Sequence, residues 1–134
     1  MTLVDTNILV DILANNPAWM HWSADRLDER SQLGALIIND VIYAEVGIGF
    51  ETEATLNDKL AIFALRHERI PTSALFHAGK AYRQYRATGG TRTNMLPDFF
   101  IGAHAHALRC PLLTRDTRRY RMYFPDVALI TPEG

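Results

Sequence analysis

The amino-acid sequence predicts an α/β domain: a mostly parallel β-sheet covered by helices on both faces. Three observations carry that reading. Short, mainly apolar runs recur along the 134 residues, without the alternation of a strand that has one wet face, as strands buried on both sides do. Stretches with helical spacing separate these runs, the order that builds parallel strands through helical crossovers. No internal repeat, low-complexity tract or Pro/Gly/Ser-rich linker divides the chain. Residues 1–134 therefore read as one domain, long enough to bury about two thirds of its unfolded surface.

The first strand is expected at Thr2 to Val4. A helix follows over Thr6 to Ala14, with Thr6 or Asn7 able to cap it. Another runs over Pro17 to Arg30, where a proline near the first turn removes no needed N–H. Ala35 to Ile38 is the second strand. Asn39 can cap a helix over Asp40 to Phe50, in which Val41, Ile42 and Val46 recur at helical spacing. Glu51 to His67 is expected as one further helix, then a strand near Arg69 to Ile70 and a helix over Ser73 to Ala87. The clear loop is "ATGGTRTNMLP", where Gly89-Gly90 ends one helix and Pro97 precedes the next, over Asp98 to Leu108. Pro111 to Thr114 and Val127 to Ile130 are the last strands, with a helix over Thr117 to Tyr123 between them.

A hydrophobic share of 48% sets aside intrinsic disorder. No apolar run is long enough to cross a bilayer and no basic-then-apolar segment opens the chain, so a cytoplasmic protein without membrane contact is expected. The single Cys110 cannot form an intramolecular disulfide, which fits a reducing compartment; beside Leu112-Leu113 it reads as a core filler. A net charge of −1 says little about partners, but its distribution does. Residues 80–121 hold nine basic side chains against only Asp98 and Asp116, whereas residues 1–79 hold five basic and eleven acidic ones. Such a segment serves either as solvated helix faces or as a local positive surface for phosphates.

Ligands of open parallel sheets sit beyond the carboxyl ends of the strands, where strand order reverses. Asp5 lies there, between the apolar Leu3-Val4 and Ile8-Leu9-Val10. Asp116 leaves the strand "CPLLT" after only Arg115. Asp98 follows Pro97 at a helix start, where the macrodipole and free N–H groups favour an anion. Glu45 lies inside the helix after the second strand, in "NDVIYAEVGIGF". Singly, each has a plain structural reading: Asp98 as a cap-region charge, Asp116 as a helix cap, Glu45 as a surface glutamate. Together they would repel one another unless some stayed protonated or a cation joined them. A hard ion such as Mg²⁺ or Mn²⁺ takes several carboxylates, polarises a phosphoryl oxygen and lowers the pKa of water. Acid within and arginine around it is the logic of a metal-dependent nuclease.

"VDTNILVDIL", the "AE" of the third helix, "LPDFFIGAHA" and "LLTRDTRRY" resemble the PIN domain, specifically the VapC-type toxin ribonucleases of bacterial toxin–antitoxin pairs, over essentially the whole chain. The resemblance implies a PIN-like three-layer fold with a five-stranded parallel sheet in the order 3-2-1-4-5. It matches Asp5, Glu45, Asp98 and Asp116 to the family's metal-binding acids. Asn7 and Thr114 match the polar residues that orient carboxylates or water. The activity implied is hydrolysis of an RNA phosphodiester by a water activated with Mg²⁺ or Mn²⁺, with Asp5 and Asp116 as direct ligands. Asp98 and Glu45 would act directly or through water, and Arg115, Arg118 and Arg119 would contact RNA. It also implies a VapB-like antitoxin whose tail wraps early helices and inserts a basic side chain near the acids, a homodimer, hetero-oligomers with the antitoxin, and DNA contact only through that antitoxin.

His104 and His106 stand two apart in a helix, face different ways and make a poor chelating pair. Trp19, Met20 and Trp22 serve either as core or as an apolar strip for a partner helix. Two other function classes compete. A magnesium-dependent phosphohydrolase of the haloacid-dehalogenase type wants a second acid two residues after the first and a lysine near the site, whereas this chain has Asn7 and only Lys59 and Lys80. A non-catalytic RNA- or protein-binding module would use the arginines and have no need of the acids.

Overall fold

The computed structural model describes residues 1–133. β1 (Thr2–Val4) leads into α1 (Thr6–Leu13) and α2 (Met20–Leu33), and β2 (Leu36–Ile38) into α3 (Asp40–Gly47) and α4 (Glu53–Ala61). Then come β3 (Arg66–His67), α5 (Thr72–Ala87), α6 (Pro97–Leu108), β4 (Leu112–Leu113), α7 (Arg118–Tyr123) and β5 (Leu129–Ile130). The strands form one sheet in the order β3-β2-β1-β4-β5, parallel at every pairing. β1 is central, with Leu3 opposite Ile37 of β2 and Leu112 of β4. Order therefore reverses between β1 and β4, which places the switch point at the exits of Val4 and Leu113.

The apolar runs explain the central strands. Neighbouring residues of a strand face opposite sides of the sheet, and every residue of β1, β2 and β4 is buried, so both faces are covered. Leu3, Val4, Ile37, Leu112 and Leu113 share the core with Ile8 and Leu9 of α1, Ile42 of α3 and Phe99 and Ile101 of α6. Each such side chain contributes roughly 1.5–3 kcal/mol on burial.

Most elements lie where the residues predict them, and the differences have local causes. β3 pairs through Arg66 and His67, three residues before the expected Arg69–Ile70, because an edge strand with exposed side chains needs no apolar run. The helix expected from Glu51 through His67 stops at Ala61, followed by tight turns from Leu60 to Phe63 and Ala61 to Ala64. Ala64 takes a positive φ of 52°, a reversal normally signalled by glycine. α3 ends at Gly47 rather than Phe50, closing in turns over Val46 to Phe50. α2 starts at Met20 rather than Pro17; the Asn16 side-chain oxygen instead accepts from the N–H groups of Ala18 and Trp19 in a turn before it. α6 opens with Pro97 in its first turn and Asp98 beside it. Among the described residues no helix is long and apolar enough to cross a membrane.

Candidate active site

Asp5 is at once the exit of β1 and the cap of α1. Its backbone N–H continues the sheet ladder to Leu113, and its Oδ1 accepts the N–H of Thr6 at 2.8 Å. Oδ2 accepts the hydroxyls of Thr114 and Tyr120, each at 2.8 Å. The residue is only 4% exposed. Burial raises its carboxyl pKa to about 6 and the charge of Asp98 adds to this, while the Thr114 and Tyr120 hydrogen bonds oppose the rise.

Thr114 follows β4 and ties the two strand exits together. Its hydroxyl spends its proton on Asp5 and accepts the backbone N–H of Asp116 at 3.1 Å and Asn7 Nδ2 at 3.2 Å, which fills the capacity of a hydroxyl group. Asn7 Oδ1 in turn accepts the backbone N–H of Arg115 at 3.2 Å. Asp116 thus has its main chain fixed while its side chain stays exposed.

Glu45 reaches in from α3, half-buried, and accepts the Thr6 hydroxyl at 2.6 Å; burial first and the Asp98 charge second raise its pKa. Asp98, at the start of α6, accepts Arg119 Nη1 at 2.9 Å. The Arg119 guanidinium also lies over the Tyr85 ring, 5.7 Å from its centroid. Burial lifts the pKa of the Tyr120 hydroxyl well above the ordinary value, and the charges of Asp5, Asp98 and Asp116 raise it further. The structure therefore brings the four acids into one electrostatic neighbourhood. It stops short of a ready cage: among the described residues no three His, Cys, Asp or Glu side chains stand together closely enough to hold a metal ion. The oxygens of Asp5, Glu45 and Asp98 are instead engaged by Thr6, Thr114, Tyr120 and Arg119.

A cleft of about 770 Å³ opens beside this group, with Asp116, Arg118, Arg119, Tyr85, Met122 and Tyr123 among the residues that line it. Arg115 is not part of it. Its guanidinium makes a two-pronged pair with Asp11, at 2.6 and 2.8 Å, and lies 5.0 Å above the Trp19 ring. Asp11 is 2% exposed and also accepts the Ser23 hydroxyl at 2.7 Å.

The residues outside the site fall into plain roles. Trp19 and Trp22 are half-buried and meet edge to face at 6.0 Å. Cys110 is a buried free thiol, its pKa raised by burial. His104 is buried with Nδ1 on Asn39 Nδ2 at 3.0 Å, whereas His106 is exposed. Sequence reasoning did not find Tyr120, Thr6 or the Asp11–Arg115 pair as parts of the site. Tyr120 sits in "TRRYRMYFP", where nothing local separates a buried tyrosine from its neighbours. Asp11 does carry a signal, an acid inside an apolar run as at Asp5.

A family model described as PIN domain matches residues 2–125. None of the curated proteins matches the chain in sequence. Several solved structures share the fold. VapBC2 from Rickettsia felis, bound to a DNA fragment from its promoter, is 21% identical with a TM-score of 0.74, covering 97% of each chain. VapBC-1 from nontypeable Haemophilus influenzae is 19% identical with a TM-score of 0.72, over 97% of this chain and 96% of that one. A toxin–antitoxin complex from Klebsiella pneumoniae is 21% identical with a TM-score of 0.66, over 98% of each.

Proposed function

The chain belongs to the PIN domain family, and on that premise we propose that it is a metal-dependent endoribonuclease, the toxin of a VapBC-type toxin–antitoxin pair. Its substrate is RNA, and its partner is a VapB-like antitoxin with which it forms hetero-oligomers; it pairs with itself as a homodimer and meets DNA only through the antitoxin. The fold shared with a toxin–antitoxin complex from Klebsiella pneumoniae supports the partner.

The observation that carries the catalytic reading is the buried Asp5 carboxylate at the junction of β1 and β4, with the charge of Asp98 acting on it and on Glu45, and with Asp5, Asp98 and Asp116 all acting on the Tyr120 hydroxyl. The donor set fits a hard divalent cation: its side chains are carboxylates, with no thiolate or imidazole among them. Asp5 and Glu45 both sit above their ordinary pKa, through burial and the charge of Asp98. Asp5, Asp98, Asp116 and Glu45 would hold Mg²⁺ or Mn²⁺, which supplies a Lewis acid for the phosphodiester and a water of lowered pKa. Thr114 and Tyr120 fix the Asp5 carboxylate from one side and the Thr6 N–H from the other. Arg118 and Arg119 stand in the adjoining cleft, where guanidinium groups match phosphate oxygens in charge and shape.

The test incubates purified protein with total RNA, with Mg²⁺, with Mn²⁺ and with EDTA, and maps the cut ends. Cleavage is expected only with a divalent ion, and Asp5→Asn and Asp98→Asn are expected to abolish it while keeping the wild-type circular dichroism spectrum. A folded variant of either kind that cuts at the wild-type rate, or cutting indifferent to EDTA, overturns the reading.

A further inference from the structure

The cleft beside Asp116 is far larger than a phosphate needs. Its volume of about 770 Å³ falls in the roughly 300–1,000 Å³ range of small-ligand sites. Its walls are of two kinds. Tyr85, Tyr123 and Met122 supply aromatic and thioether surface, and the chain from Thr88 to Thr91 supplies peptide groups. Met122 is 59% exposed, a placement that burial does not account for.

The walls are also fixed in advance. Gly90 lies against the Tyr85 ring so closely that any Cβ would collide with it, and Gly89 takes a positive φ of 96°. The Tyr85 hydroxyl accepts the N–H of Arg92 at 3.2 Å. The Arg92 carbonyl accepts Tyr82 Oη at 3.0 Å and Arg86 Nη1 at 2.7 Å. On the inner side Tyr85 packs edge-on against Phe99 and Tyr123, with centroids 5.5 and 6.2 Å away. Aromatic and thioether surface, glycine peptide groups and arginine in the lining of one cleft fit a flat heterocycle with a polar edge, joined to an anion.

We propose that this cleft is a base-recognition subsite, which takes one unstacked base of single-stranded RNA next to the scissile phosphate, against Met122 and Tyr123, with Arg118 holding the adjoining phosphate. The proposal rests on the nuclease reading above. A duplex cannot present such a base without unpairing it, so the cleft selects single strands. Stacking supplies affinity whatever the base, and the peptide groups of Gly89 to Thr91 supply discrimination through its edge.

The experiment separates binding from cleavage. In EDTA, the affinity of a single-stranded oligoribonucleotide is measured by fluorescence anisotropy beside that of the same ribose-phosphate chain without bases. The bases are expected to add about tenfold in affinity, the scale of one stacked base. Met122→Ala and Tyr123→Leu are expected to remove most of that gain while leaving the base-free chain bound as before. Arg118→Ala is expected to weaken both chains alike and reduce the salt slope by about one. A base contribution near onefold, or one that survives both cleft substitutions, overturns the subsite, even where Mg²⁺-dependent cleavage is intact. Absence of cleavage with a normal base contribution instead removes the nuclease reading and leaves a base-binding cleft.

Discussion

Asp5→Asn is expected to stabilise the metal-free protein at neutral pH while removing its proposed chemistry. The carboxyl of Asp5 ionises at about 6 in the fold against 3.8 in a free aspartate, a gap worth ~3 kcal/mol. The raised value fixes the sign: the fold favours the protonated group. Its contribution to stability is full below pH ~3.8 and is lost as pH rises through about 6. Asparagine escapes this penalty and keeps the bond from the Thr6 N–H. Its amide nitrogen would, however, face the hydroxyls of Tyr120 and Thr114. Thr114 already accepts from Asn7 and Asp116, and Asn7 Nδ2 itself donates to Asp5 Oδ2 at 3.4 Å, so one hydrogen bond and this weaker one are lost, at a cost of ~1.5 kcal/mol together. The net expectation at pH 7.5 is a gain of ~1.5 kcal/mol, or a melting temperature roughly 4–7 °C higher for a chain of this length. At pH 4 the difference reverses, with the variant ~1 kcal/mol less stable. Urea unfolding in EDTA, followed by Trp19 and Trp22 fluorescence from pH 4 to 8, measures the crossing. A variant less stable than wild type at pH 7.5, or a difference that does not change with pH, refutes the reasoning.

Arg115→Met is expected to cost ~3–5 kcal/mol, because it leaves the Asp11 carboxylate buried and unpaired. Adding Asp11→Asn should recover much of the loss in urea unfolding, and a single-variant loss under ~1 kcal/mol would mean that the pair behaves as a surface bridge. Gly102→Ala places a methyl group inside the ring of the buried Phe124. Overpacking of ~1–3 kcal/mol is expected to outweigh the ~1 kcal/mol gain in helix propensity, so thermal unfolding should show a lower midpoint.

The sheet was legible because β1, β2 and β4 are buried on both faces and, Thr2 apart, are apolar, which is visible in two or three letters of sequence. β3 was misplaced for the converse reason. Arg66 and His67 join the sheet through their main chain alone, so their side chains carry no record of it. At the site, an acid at a strand exit is a readable signal, but it does not say what meets the acid. Asp5 and Asp11 look alike along the chain. One is met by two hydroxyls and a neighbouring negative field, the other by a guanidinium more than a hundred residues away. Tyr120 was invisible for the same reason: its role depends on where α7 returns over β1, which no local pattern encodes.

An exposed carboxylate ordinarily swings freely and must be stilled each time it engages a ligand. Asp116 is flanked by anchors instead. Asn7 and Asp11 grip the main chain and side chain of Arg115, and Thr114 grips the N–H of Asp116 itself. The entropy of ordering this corner of the main chain is met when the chain folds, so an incoming ligand has only the Asp116 side chain left to still. The buried Asp11 that pairs with the preceding side chain thus gives the main chain of a solvent-facing residue the rigidity of an interior one.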